Sequence, residues 1–445
     1  MAALPPNKLK IVRTIVETAP DSAIRSLEMA LSAEGGTGAL AAVRELVETE
    51  AADRFVRNAV FAPVKALFGS SSSKLSFPPR ALGMMWRGLK AQNPELIRDA
   101  AAHCGPWDAE MDSPQVLNDL CALAAKGLRE RTQPDFKAAA ELCDSFPKGG
   151  GTDALTACLD LSPMTRGALA RLSEWVSRMT MERTVSVRLA YRDTLEVAPD
   201  AGPRFFEMLA APLPEPWLIL RVISAVMDRP HETYLSESEL GTFGERTLDD
   251  IEQCVNFVRR FQADEGVAEG RKAGQMVQRA LLQVFEFEGA IETTRVGPWG
   301  GRLGRLRESL AQCVERIMGG AGEAVNTALP IENSRLRGGA NRGAPRLTDD
   351  PSPRLVLRAE ALLAFADEVR SAAANGGFSG ARNRMIEKAN QRLDHYIDYL
   401  IAVMRDNEVD DRERARKYLE IAADFIAYTR DEKTAQIVRR RLAAA

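Results

Sequence analysis

Residues 247–258 read TLDDIEQCVNFV, and the spacing within them decides the fold class. Leu248, Ile251, Val255 and Val258 recur three or four positions apart, which places them on one face of a helix. Thr247 is a residue type that caps a helix start, and Asp249 and Asp250 behind it suit the positive end of a helix dipole. The pattern therefore predicts a helix capped at Thr247. The same spacing returns at Ile386, Ala389, Leu393, Tyr396 and Leu400, and again at Tyr418, Ile421, Phe425 and Tyr428. Strand-like alternation is scarce. Val185–Leu189 (VSVRL) comes closest, inside a longer stretch that also fits a helix.

Helix starts are marked by a residue followed by proline, at Asn93-Pro94, Ser113-Pro114, Ser162-Pro163, Glu215-Pro216 and Ser352-Pro353. Proline suits the first helical position because its missing N–H has no partner there, and Ser or Asn just before it can cap the exposed amides. Many short to medium helices follow from this. The expected fold is all-α, a multi-helix bundle or irregular α-solenoid with a separate C-terminal helical bundle.

A chain of 445 residues is long for one core, and 45% hydrophobic with 27% charged residues is a folded, globular composition. Fifty-nine basic residues nearly cancel 62 acidic ones, leaving a net charge of −3 and no global field that attracts nucleic acid or an anionic membrane. Met1–Lys10 has no apolar targeting core. The longest strongly apolar stretch, Trp217–Met227, is broken by Arg221 and falls short of the ~20 residues a membrane span needs. The expectation is a cytoplasmic protein that does not span a membrane. Cysteines at 104, 121, 143, 158, 254 and 313 include no C-x-x-C pair and read as small buried hydrophobes.

Three breaks suggest boundaries: Gly69–Lys74 (GSSSSK), Gly149–Gly151, and the glycine- and proline-rich stretch from Ile331 to Pro353. They predict an N-terminal helical unit over 1–69, a central helical array over 75–330, a linker over 331–353 and a C-terminal bundle over 354–445. Asn375–Gly380 and Asp406–Asp411 turn the chain between helices of that bundle. No fixed repeat period is found.

Signatures of chemistry fail one by one. Gly36–Ala41 (GTGALA) matches a dinucleotide fingerprint in letters, but the residues before it look helical where a strand is required. Gly297–Gly304 (GPWGGRLG) is glycine-rich without the phosphate-loop spacing, and no Gly-Lys pair exists. Asp249-Asp250 would need a third acid at 253, where Gln253 stands, and Asp410-Asp411 likewise leads to Arg414. His395 has Asp398 and Gln391 at helical spacing, but no second Glu-x-x-His motif completes a di-metal bundle. No catalytic residue, cofactor or metal is assigned.

Two stretches offer interactions. Asp53–Phe68 (DRFVRNAVFAPVKALF) carries Phe55, Phe61 and Phe68 with Arg54, Arg57 and Lys65, which suits a partner groove, a membrane surface or a core helix. Arg335, Arg337, Arg342 and Arg346 stand among glycines with no acid between them, as a solvated linker or a phosphate-seeking arm would. The expected function is a protein–protein interaction or scaffold protein without catalytic activity, with protein partners or a second copy of itself. The alternatives are a helical enzyme or small-molecule binder with a pocket between helices, and a nucleic-acid or membrane-surface binder using the basic segments.

Overall fold

In the computed structural model the helix expected from Thr247 runs from Gly241 to Arg260. Thr247 is therefore interior, donating its hydroxyl to Phe243 O at 3.0 Å, and it caps nothing. The added turns survive their two glycines for a packing reason. A Cβ on Gly244 would lie 2.6 Å from the fully buried Trp299 ring, so glycine is what lets the indole reach the helix.

The structure describes residues 6–33, 39–69, 73–104, 115–146, 150–332, 343–406 and 408–444. These hold 21 α-helices and one two-stranded sheet, an all-α fold as the spacing required. VSVRL is helical. The chain forms two compact units, 1–228 and 229–445, dividing where the punctuation of the sequence marked no boundary.

In the first unit, α1 (Pro6–Thr18), α2 (Asp21–Ala33), α3 (Ala39–Val60) and the single turn α4 (Ala62–Lys65) lead into α5 (Pro79–Gln92) and α6 (Pro94–Ala102). Then come α7 (Gln115–Glu130), α8 (Pro134–Asp144), α9 (Gly151–Asp160) and α10 (Ser162–Ser177). The unit closes with α11 (Met181–Val197), α12 (Gly202–Ala210) and α13 (Ile219–Val226). Its main core gathers Val60, Phe61, Val64 and Leu67 from the α3–α4 corner with Met85, Leu120, Phe136 and Leu155. A smaller cluster of Val16, Ile24 and Val47 joins α1, α2 and α3.

The second unit holds α14 (Glu232–Ser236), α15 (Gly241–Arg260), α16 (Val267–Ala290) and α17 (Gly300–Ala328). The strands β1 (Ile331–Glu332) and β2 (Ala344–Pro345) pair antiparallel, with Ile331 opposite Pro345. The unit ends in α18 (Pro353–Glu368), α19 (Ser379–Arg405), α20 (Arg412–Thr429) and α21 (Glu432–Ala444). What the glycine- and arginine-rich stretch separates in sequence the unit joins in space, since α18 lies against both α16 and α17. The helices approach closely at Gly270, where a Cβ would stand 2.1 Å from the carbonyl oxygen of Ala361. Gly270→Ala is therefore expected to cost about 2 kcal/mol, the helix-propensity gain being outweighed by overpacking against backbone. Calorimetry of the full chain should show a transition lowered by about 4–8 °C, and an unchanged transition would mean the two helices have room to spare.

Proline starts the helices as expected at α6 and α18, whereas Glu215-Pro216 opens a 3-10 turn before α13. The capping expectation fails at both α starts: neither Asn93 nor Ser352 makes a side-chain cap. Ser162 itself is the first residue of α10, with Pro163 behind it. Ser113-Pro114 lies outside the described residues. At the other helix ends a different device recurs. Carbonyls left without helical partners are taken by arginines from neighbouring elements. Arg54 donates to Val16 O, Glu17 O and Ala19 O at the end of α1, and Arg166 donates to Ala59 O and Val60 O at the end of α3. Arg188 donates to Ala225 O and Met227 O at the end of α13, and Arg392 donates to Asn326 O and Leu329 O at the end of α17.

Candidate functional site

The Asp53–Phe68 segment builds a corner of the first unit. Arg54, Arg57 and Asn58 share one face of α3, and all three reach the carboxylate of Asp21, the first residue of α2. The contacts are 3.0 Å from Arg54, 2.9 Å from Arg57 and 3.2 Å from Asn58, while Lys65 at the end of α4 stands off at 3.7 Å. Burial raises the Asp21 pKa, but the charge and hydrogen bond of Arg57 with the Asn58 amide outweigh it, and the carboxyl sits below its ordinary range. Lys65 is held below the usual lysine value, first by burial and then by the like charges of Arg57 and Arg25, against the pull of Asp21.

Beside this corner opens a cleft of about 650 Å3, walled by Glu17, Asp21, Arg57, Lys65, Arg80 and Arg87 over the apolar side chains of Phe68, Leu82 and Met84. Arg54 also reaches it, but its guanidinium is spent on α1 carbonyls, Asp21 and Glu50. Arg87 is paired with Asp135 at 3.1 Å.

The three phenylalanines of the segment do not share a surface. Phe61 is fully buried and meets Trp86 edge-on at 6.3 Å; Phe68 is half-buried against Phe77 at 5.8 Å; Phe55 is 60% exposed. Of the four arginines, Arg335, Arg337 and Arg342 lie outside the described residues. Arg346 is tied to its own unit, by ion pairs to Glu332 at 3.3 Å and Asp349 at 3.2 Å and a backbone bond to Pro330. The stretch beyond it is likewise pinned. Arg414 donates to Leu347 O and Thr348 O, and Tyr418 donates to Asp349 O.

The tested constellations resolve into structural contacts. Arg302 bridges Glu245, Asp249 and Glu252 at 3.1, 2.7 and 2.6 Å, so Asp249 serves an ion-pair network on α15. The His395 Nε2 contacts Gly343 O at 2.9 Å, and Asp411 caps α20 by accepting from Arg414 N. Of GTGALA only Ala39-Leu40-Ala41 at the start of α3 is described. The glycine-rich stretch 297–304 does cradle an anion, but one from its own chain. Glu232, fully buried, accepts from Trp299 N and Gly300 N at the start of α17 and from both the backbone and hydroxyl of Thr294.

A feature that sequence reading missed is an apolar stripe on α11. Met181, Val185 and Leu189, four residues apart, are 86%, 63% and 47% exposed. The signal was present as i, i+4, i+8 spacing, but α11 also buries Val187 and Thr194 on another face, and a sequence carries no label for which face is covered. In the second unit Phe285 and Leu282 stand exposed on α16. Among the described residues no group of three or more His, Cys, Asp or Glu side chains converges, and no helix is long and apolar enough to cross a membrane. Comparison with family models, with curated proteins and with solved structures finds no match for this chain.

Proposed function

We propose that the chain is a helical protein-interaction protein, with the exposed stripe of α11 as a docking face for another protein. The supporting observation is Met181, Val185 and Leu189 standing in solvent on one face of a helix whose other side is already packed. Single exposed apolar residues are ordinary; three in register on one helix form a continuous strip of the kind that partner grooves take up. The cytoplasm is the proposed setting. All six cysteines are buried without a disulfide, and burial pushes the thiols of Cys143 and Cys158 up to about 12, a usage suited to a reducing compartment.

The test is affinity capture at high salt with the intact chain and with a Met181→Ser, Val185→Ser, Leu189→Ser variant, whose fold is checked by circular dichroism. Burying each apolar side chain is worth about 1.5 kcal/mol or more, so the triple variant should weaken a direct partner by roughly a hundredfold or more. Partners retained equally by both chains, or none retained by either, would overturn the reading.

A further inference from the structure

We infer that the cleft bounded by the α1–α2 corner, α3 and α5 binds a phosphate monoester, whose oxyanion is held by Arg57, Lys65 and Arg80 and whose organic part rests on Phe68, Leu82 and Met84. The charges that line the cleft are neutralised unequally. Asp21 is the acid in contact with the cluster, and it is shared among Arg54, Arg57 and Lys65. The second acid at the cleft, Glu17, forms no ion pair with a cation among the described residues. Arg54 and Arg87 have carboxylates of their own in Glu50 and Asp135. That leaves three cations insufficiently matched, each in a different way.

Arg80 is exposed at the start of α5 and pairs with no acid among the described residues. Lys65 has only the 3.7 Å contact to Asp21, and it stands half-buried beside the like charge of Arg57. Arg57 directs its Nη2 to both oxygens of Asp21, at 2.9 and 3.2 Å, while its buried Nε donates to nothing. Such clustering costs free energy in the empty protein, and a dianion placed between the three groups removes that cost while adding charge-assisted hydrogen bonds. The volume of about 650 Å3 fits a small ligand, and the apolar floor gives the site an unlike half that a bare inorganic ion would leave uncovered. This site is separate from the α11 stripe, and either can fail without the other.

The experiment uses the full chain and isothermal titration with phenyl phosphate and with inorganic phosphate, beside flotation with phosphatidylcholine vesicles lacking or containing phosphatidic acid. Arg80→Gln removes a side chain with no ion-pair partner to lose among the described residues, so the fold is preserved. Arg440→Gln makes the same charge change on an exposed arginine of α21 that forms no ion pair among the described residues. Saturable binding of phenyl phosphate, tighter than inorganic phosphate and weakened about tenfold by Arg80→Gln but not by Arg440→Gln, is the expected result. Binding confined to phosphatidic acid vesicles with the same dependence on Arg80 would support the site with a lipid headgroup as the source of the ester. No saturable binding of any probe, or equal weakening by both variants, would overturn the inference.

Discussion

Arg166→Met is expected to cost the first unit about 4 kcal/mol, seen by calorimetry of the full chain as a transition lowered by roughly 8–16 °C. Arg166 is buried, and no carboxylate pairs with it among the described residues. Its guanidinium is balanced by dipoles instead: Ala59 O and Val60 O, each at 2.6 Å, and Asn118 Oδ1 at 3.1 Å. Those two carbonyls are available for a reason written in the chain. The residue four beyond Ala59 is Pro63, which has no N–H to give, and the N–H of Val64 turns to Phe61 O. Methionine fills much of the volume but donates nothing, so at the negative end of α3 Ala59 O loses its partner and Val60 O keeps only the weak Cys121 thiol donor at 3.1 Å, at about 1–3 kcal/mol each. Arg166→Lys keeps the charge yet lacks the planar fork, and should recover only part of the loss. A change under ~2 °C for Arg166→Met would show that water or a rearranged α4 serves those carbonyls equally well.

Glu232→Gln is expected to lower the transition of the second unit by about 6–12 °C, for a loss of about 3 kcal/mol. One carboxylate oxygen accepts from Thr294 N and Oγ1 at 2.6 and 2.8 Å; the other accepts from Trp299 N and Gly300 N, both at 2.8 Å. An amide must point its NH2 at one of these donor pairs, so near-isosteric replacement still sets donor against donor. The void that admits the carboxylate is fixed too, because a Cβ on Gly297 would stand 1.7 Å from Glu232 Oε1. Burial raises the Glu232 pKa, but the four hydrogen bonds to its charged form outweigh that and hold it below the ordinary glutamate value. A lowered carboxyl stabilises fully above its unfolded-state pKa, and that stabilisation disappears as pH falls through the folded-state value. The gap between wild type and Glu232→Gln should therefore be full at neutral pH and close only below the usual glutamate range. A gap independent of pH would mean the effect is steric.

The class of fold was legible because burial of one helix face leaves a period that survives in any tertiary context. Leu248, Ile251, Val255 and Val258 are all buried on α15, and Leu393, Tyr396 and Leu400 on α19. Breaks between α18 and α19 and between α19 and α20 fall near the stretches expected, although Ser379 and Gly380 already belong to α19. The start of α15 was not legible. It depended on Trp299, which lies far along the chain and makes Gly244 an asset within a helix. The candidate cleft was legible only in part: Arg54, Arg57 and Lys65 could be noted, but Asp21 and Arg80, which decide whose charge remains, come from other helices.

By itself, then, the sequence determined the helices, their turns and the burial expected of its cysteines, because each follows from residue type and local spacing. The tertiary structure decided what the charges do. Only 12 of the 59 basic residues are lysine, and many arginines close the open carbonyl ends of helices distant in sequence, as Arg54, Arg166, Arg188 and Arg392 do. An arginine bound for a helix end and one bound for solvent read alike in a sequence. A guanidinium reaches several ångströms from its own helix, and which carbonyl lies there is set by how helices pack, not by their periodicity.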